Sequence, residues 1–139
     1  MKITPFRFQP FSPKQLQVLR WWRPKSPFHD YDGIIADGAI RSGKTICMGL
    51  SFVMWSMESF SNQQFAFCGK SIGSLKRNVI VPLLRILPGR GYIVHERRSD
   101  NCIDIMRNGV QNTYYYFGGR DESSQDLIQG KCFAFHLGD

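Results

Sequence analysis

The chain has 139 residues, 42% apolar and 21% charged, with a formal net charge of +7; this is the composition of a globular domain with a core of its own. No apolar run approaches the ~18 residues that a membrane span needs, and the start, Met1-Lys2-Ile3-Thr4-Pro5, has no signal-peptide pattern, so a cytoplasmic protein is expected. The positive excess is concentrated between Gly69 and Arg98, where Lys70, Lys76, Arg77, Arg85, Arg90, Arg97 and Arg98 face Glu96 alone, a pattern that suits either a polyanion such as DNA or a solvated helix face with nothing bound.

In chain order, Ser12-Pro13 reads as a helix N-cap and a first helical residue. A short helix from about Pro13 to Trp22 follows and ends before Pro24, with Leu16, Leu19 and Trp22 on one face. Tyr31 to Asp37 reads as a buried strand centred on Ile34-Ile35-Ala36. A helix from about Lys44 to Phe60 carries Ile46, Leu50, Val53, Met54 and Met57 at helical spacing. Gln64 to Gly69 is a short apolar run. Ser71 to Leu87 is helical by period, with Pro82 expected to kink or split it and Pro88-Gly89 to stop it. Tyr92 to Val94, Cys102 to Ile105 and Tyr114 to Phe117 are strand candidates, the last two joined by the hairpin signal Asn108-Gly109. Asp121 to Gln129 reads as a short helix, and Cys132 to Leu137 as a final strand before Gly138-Asp139. Strands alternating with helices argue for an α/β fold with a mainly parallel sheet, to which the hairpin adds an antiparallel piece.

The four cysteines, Cys47, Cys68, Cys102 and Cys132, form no CxxC pair and lie in apolar stretches, as buried free thiols do. His29, His95 and His136 have no metal-ligand spacing. Trp21-Trp22 and Tyr114-Tyr115-Tyr116 could stack on bases, but aromatic residues at such positions also serve as core.

One stretch carries specific chemistry. Gly38-Ala39-Ile40-Arg41-Ser42-Gly43-Lys44-Thr45 is a complete P-loop pattern between a strand and a helix, which is the context the pattern requires. Gly38 and Gly43 permit backbone angles that side chains forbid, so the loop can turn its N–H groups inward around phosphates, and the helix adds its positive end. Lys44 supplies a full charge to the β- and γ-phosphates, and Thr45 a hydroxyl for Mg2+. Arg41 fits two roles: a cation on the γ-phosphate, or a loop residue facing solvent or pairing with Asp37. The Mg2+-linked Asp of such sites ends an apolar strand, and Asp139 stands at that position.

The sequence resembles the N-terminal ATPase domain of tailed-bacteriophage large terminase subunits. The resemblance is carried by Asp37 to Thr45 with Met48 to Val53, by Phe67 to Ser74, by Phe117 to Gly130, and by Phe11 to Gln15. It implies a RecA-like P-loop core that hydrolyses ATP with Mg2+ to drive double-stranded DNA into a capsid. It also implies an adenine-side segment over residues 1–32 and the ATPase core over 33–139. Arg41 then matches a P-loop arginine used near the γ-phosphate, Gln15 a glutamine that pairs with the adenine edge, and Asp139 the Mg2+-linked Asp. For Gln15, an exposed helix residue is the other reading. Partners implied are DNA, a portal protein and a small terminase subunit, in a ring, in the host bacterial cytoplasm. The catalytic Glu and the nuclease domain expected after Asp139 are absent from these residues, so the chain by itself is expected to hydrolyse ATP slowly or not at all. A kinase or helicase-like P-loop enzyme and a non-catalytic nucleotide- or DNA-binding remnant are the alternatives.

Overall fold

The computed structural model describes residues 11–27, 29–30, 44–118 and 133–136, with the backbone alone at 44 and 133–136. Helix α1 spans Pro13–Arg20. Its start is fixed as the sequence indicates: Ser12 Oγ accepts the Gln15 N–H (3.2 Å) and Gln15 Oε1 accepts the Ser12 N–H (2.9 Å), a reciprocal capping box. Helix α2 spans Lys44–Ser59 and strand β1 spans Gln64–Gly69, both close to the sequence expectation. The expected strand at Tyr31 to Asp37 and the expected helix at Asp121 to Gln129 lie outside the described residues.

The long helical period after Ser71 resolves into three joined pieces. Helix α3 is Ile72–Leu75, a π turn covers Lys76–Ile80, and helix α4 is Val81–Ile86, followed by a 3-10 turn at Leu87–Arg90. Pro82 is the cause. It has no N–H to donate, and its ring would strike the carbonyl four residues back in a regular helix. The turn before it widens instead, and the Val81 N–H bonds the Lys76 carbonyl, the five-residue step of a π bulge.

Strands β2 (Ile93–Arg97), β3 (Cys102–Arg107), β4 (Val110–Gly118) and β5 (Phe133–His136) complete, among the described residues, a five-stranded sheet in the order β2-β3-β4-β1-β5. The Asn108-Gly109 signal holds: both residues have positive φ (52° and 79°), as a two-residue hairpin turn requires. The mainly parallel sheet does not hold among the described residues. β1 pairs in parallel with β4 and β5, while β2–β3 and β3–β4 are antiparallel. The reason is that β4 serves both halves, so the hairpin is continuous with the parallel part rather than an appendage. The fold is mixed α/β.

One face of the sheet carries the core. Leu50, Val53 and Met57 of α2 pack with Leu75, Val79, Ile80, Leu83 and Ile86 of the α3–α4 layer over Phe65, Phe67, Ile103, Ile105, Tyr114 and Tyr116. Phe65 and Tyr114 stack at 5.2 Å between centroids, and Phe52 meets Phe67 edge-on at 5.5 Å. Full burial of a large apolar side chain is worth about 1.5–3 kcal/mol, so this layer dominates stability. Tyr114 and Tyr116 are therefore core residues, whereas Tyr115 lies on the opposite face beside Phe117, Ala66 and Cys68. Helix α1 docks on α2: Leu19 enters the core and Ser51 Oγ donates to the Val18 carbonyl at 2.7 Å. No described helix is long and apolar enough to cross a membrane.

Candidate nucleotide site at the carboxyl edge of the parallel strands

The orientation of α2 is set at its far end. Asn112, on β4 and only 1% exposed, donates from Nδ2 to the Phe60 carbonyl (3.1 Å) and to the Ser56 carbonyl (3.3 Å). Its Oδ1 accepts the Gln63 N–H at 3.0 Å. Ser56 Oγ, on the same turn of α2, lies 2.5 Å from the Tyr114 hydroxyl of β4. These bonds tie the C-terminal end of α2 to the beginnings of β1 and β4. The helix is 16 residues long, about 24 Å at 1.5 Å per residue, which is comparable to the length of the strands. Its first residues, Lys44 and Thr45, are thereby carried toward the opposite edge of the sheet, where the parallel strands end.

That edge is level. Gly69 of β1 is in register with Gly118 of β4, and Cys68 with His136 of β5. In α/β sheets, ligands bind outside the carboxyl ends of the strands. Two of the sequence stretches singled out above, those containing Gly69-Lys70-Ser71 and Phe117-Gly118, reach this edge from different strands. They also touch. A Cβ on Gly118 would lie 2.9 Å from Ile72 N and 3.1 Å from Ser71 Cα. Ser71 caps α3 by accepting the Ser74 N–H at 3.2 Å. Gly118 was not a site residue in the sequence reading, where it entered only as part of the Phe117 to Gly130 stretch.

Of the sequence-derived site residues, Gly38, Ala39, Ile40, Arg41, Ser42, Gly43 and Asp139 lie outside the described residues. Lys44 opens α2, and Thr45 is its second residue, half-buried. Gln15 sits on α1, its carboxamide oxygen engaged by Ser12. The contacts Val18–Ser51 and Arg23–Glu58 (3.5 Å) advance in the same direction along both segments, which directs the Gln15 end of α1 toward the N-terminal half of α2. A groove of about 420 Å3 beside α1 is lined by Pro13, Leu16, Gln17, Arg20, Arg23 and Lys25; of the candidate nucleotide-binding residues whose side chains are described, neither Gln15 nor Thr45 lines it.

The remaining sequence signals sort as follows. Trp21 and Trp22 are half-buried; the Trp22 indole N–H is buried without a partner, and the Arg23 guanidinium lies 5.3 Å over its ring. Cys47, Cys68 and Cys102 are buried, and Cys132 is outside the described residues. Burial pushes the Cys47 and Cys68 thiols up, which makes them poor nucleophiles. Among the described residues, no His, Cys, Asp and Glu group forms a metal cluster. Part of the basic window is consumed locally. Arg97 reaches Asp104 (Nε–Oδ2 3.0 Å) and Asp100 (3.3 Å), and Arg98 lies 3.6 Å from Glu96. Asp104 is 8% exposed and also accepts the Thr113 hydroxyl at 2.7 Å.

A helix start aimed at the carboxyl edge of a mixed α/β sheet, preceded in sequence by a P-loop pattern, is an arrangement that nucleotide-binding proteins use. Comparison with solved structures narrows it. The chain matches the large terminase of a thermophilic bacteriophage with a TM-score of 0.87 and 57% identity over 92% of its own length and 32% of that chain. The same phage's large terminase in complex with ADP matches with a TM-score of 0.83 and 55% identity, over 91% of this chain and 31% of that one. The terminase in complex with ATP-gamma-S matches with a TM-score of 0.80 and 44% identity, over 92% and 38%. No protein-family profile and no curated protein matches the chain. Over nearly all of its own length the chain is therefore similar to phage large terminases, as the sequence resemblance implied, and it spans about a third of the length of the relatives it matches.

Proposed function

We propose that this chain is the nucleotide-binding part of a DNA-packaging ATPase: residues 33–139 belong to a RecA-like P-loop core, and residues 1–32 form its adenine-side segment. The observation that carries the reading is the orientation of α2, which Asn112 anchors at one end so that Lys44 and Thr45 open at the carboxyl edge of β1, β4 and β5. The two nucleotide complexes of the similar phage terminase support it.

In this reading the N–H groups of Gly38 to Gly43 wrap the phosphates, and the unpaired N–H groups at the start of α2 add to them. Lys44 places its ammonium on the β- and γ-phosphates. The Thr45 hydroxyl and the Asp139 carboxylate are the oxygen donors for Mg2+, a hard cation that takes such ligands; the ion would neutralise charge on the phosphates when bound. Arg41 stabilises charge developing at the γ-phosphate, and Gln15 reads the adenine edge with its carboxamide. The whole protein, working in the host bacterial cytoplasm, would couple ATP hydrolysis to movement of double-stranded DNA, in a ring with a portal protein and a small terminase subunit as partners.

Titration calorimetry with Mg2+ and ATP tests the reading, with Lys44→Ala as control. Binding by the native chain that is lost in the variant is expected. A folded native chain with no heat of binding, or a variant that binds equally well, would overturn it.

A further inference from the structure

The face of the α3–α4 layer turned away from the core carries a charge pattern that the nucleotide site does not use. Residues 59–95 contain no Asp or Glu, yet include Lys70, Lys76, Arg77, Arg85 and Arg90. All five lie just before, within or at the end of one continuous helical run. Its inward positions are Leu75, Val79, Ile80, Leu83, Ile86 and Leu87, all buried. Its outward positions include Gly73, Arg77, Asn78, Val81 and Arg85, all exposed. Arg77 and Arg85 lie eight residues apart on this outward side, about 12 Å along the run at helical rise. Lys70 is exposed at its start, and Lys76 leans on the Tyr116 ring at 5.3 Å. The ion pairs of the neighbouring hairpin fall to Arg97 and Arg98, and among the described residues Lys70, Arg77 and Arg85 enter no ion pair.

Such a face attracts a polyanion, and its shape selects which kind. A peptide partner needs buried apolar anchors, whereas Val81 is the single large apolar side chain exposed here. A phosphate backbone needs only cations at intervals. We infer that this outward face, through Arg77 and Arg85 with Lys70 at its edge, is a phosphate-backbone contact surface for double-stranded nucleic acid. The inference rests on the packaging reading for its partner, but not on nucleotide binding.

The test is the affinity of the 139-residue chain for a fluorescent random-sequence DNA duplex, measured by anisotropy over a salt series. Three proteins are compared: the native chain, Arg77→Ala/Arg85→Ala, and Arg20→Ala/Lys25→Ala. The last carries the same charge change on exposed residues at and beyond the end of α1. Each phosphate contact contributes about 0.9 to the slope of log affinity against log salt. The first variant is expected to flatten the slope by about 1.8, and the control by clearly less. Equal flattening in both variants, no change in the first, or binding of polyglutamate without binding of duplex would overturn the inference. Circular dichroism of each variant separates lost contact from lost fold. A chain that binds Mg2+-ATP in calorimetry but fails this test refutes the surface and leaves the nucleotide reading intact.

Discussion

Asn112 holds the end of α2 that decides where the P-loop helix points, and its replacement by Ala has a cost that can be worked out. The side chain is 1% exposed and serves Phe60 O, Ser56 O and Gln63 N. Ser56 O keeps its bond from the Phe60 N–H, so the loss falls on the other two. Each costs about 1 kcal/mol at a partly buried position, and the vacated volume adds about another. The expected loss is about 3 kcal/mol, a large share of the ~5–15 kcal/mol that holds a domain together. Urea denaturation reads it directly, and the thermal midpoint should fall by roughly 10 °C. Asn112→Asp keeps the acceptor for Gln63 but loses both donors and sets a carboxylate against two carbonyls, so it should cost at least as much. A loss below about 1 kcal/mol for Asn112→Ala, the net worth of one ordinary hydrogen bond, would show that these bonds do not fix the helix end.

Three further outcomes follow from the same geometry. Gly118→Ala pushes a methyl against the main chain of Ser71 and Ile72, the nearest atom 2.9 Å away, and should cost about 1–3 kcal/mol in urea denaturation. Gly73→Ala, whose methyl meets nothing nearer than the Arg77 guanidinium at 3.7 Å, should instead stabilise by up to about 1 kcal/mol; equal effects would refute the close packing at the carboxyl edge. Tyr114→Phe loses the Ser56 bond and should cost about 1 kcal/mol, while Tyr116→Phe removes a buried hydroxyl without a partner and should be neutral or stabilising. Burial raises both phenols, Tyr116 to about 12 and Tyr114 as well. A raised folded value gives stability that is fully present below the unfolded value near 10 and is lost as pH climbs past it. Denaturation midpoints should therefore fall above about pH 10, less steeply in Tyr116→Phe; an unchanged slope in that variant would count against the burial.

The parts of the fold that were legible in the sequence are those in which local chemistry and tertiary packing agree. Ser12-Pro13 spelled the start of α1, Asn108-Gly109 the hairpin, and the apolar run Gln64 to Gly69 coincides with strand β1. Pro82 announced a break but not its form, because a π turn depends on how the flanking turns pack against α2 and the sheet. Among the described residues the sheet is not mainly parallel as expected, because pairing is non-local: nothing within Thr113 to Phe117 says that it meets β1 in parallel on one side and β3 antiparallel on the other. The P-loop was read from its motif alone and lies mostly outside the described residues, whereas the contact between Gly118 and Ser71 had no such signal, since it joins two segments distant in sequence. Asn112 escaped notice for the same reason. Its polar side chain looks exposed in a strand pattern and is buried only because α2 ends upon it.

The central claim is that nucleotide seats at the carboxyl edge, against the start of α2. Hydrogen–deuterium exchange of the chain with and without Mg2+-ATP tests this most directly, because the first amides of a helix have no intrahelical partner and report what bonds them. Slowed exchange at the first turn of α2 from Lys44, at Gly69 to Ser71 and at Gly118 is the expected result. Protection confined to the groove beside α1, with the first turn of α2 unchanged, would contradict it.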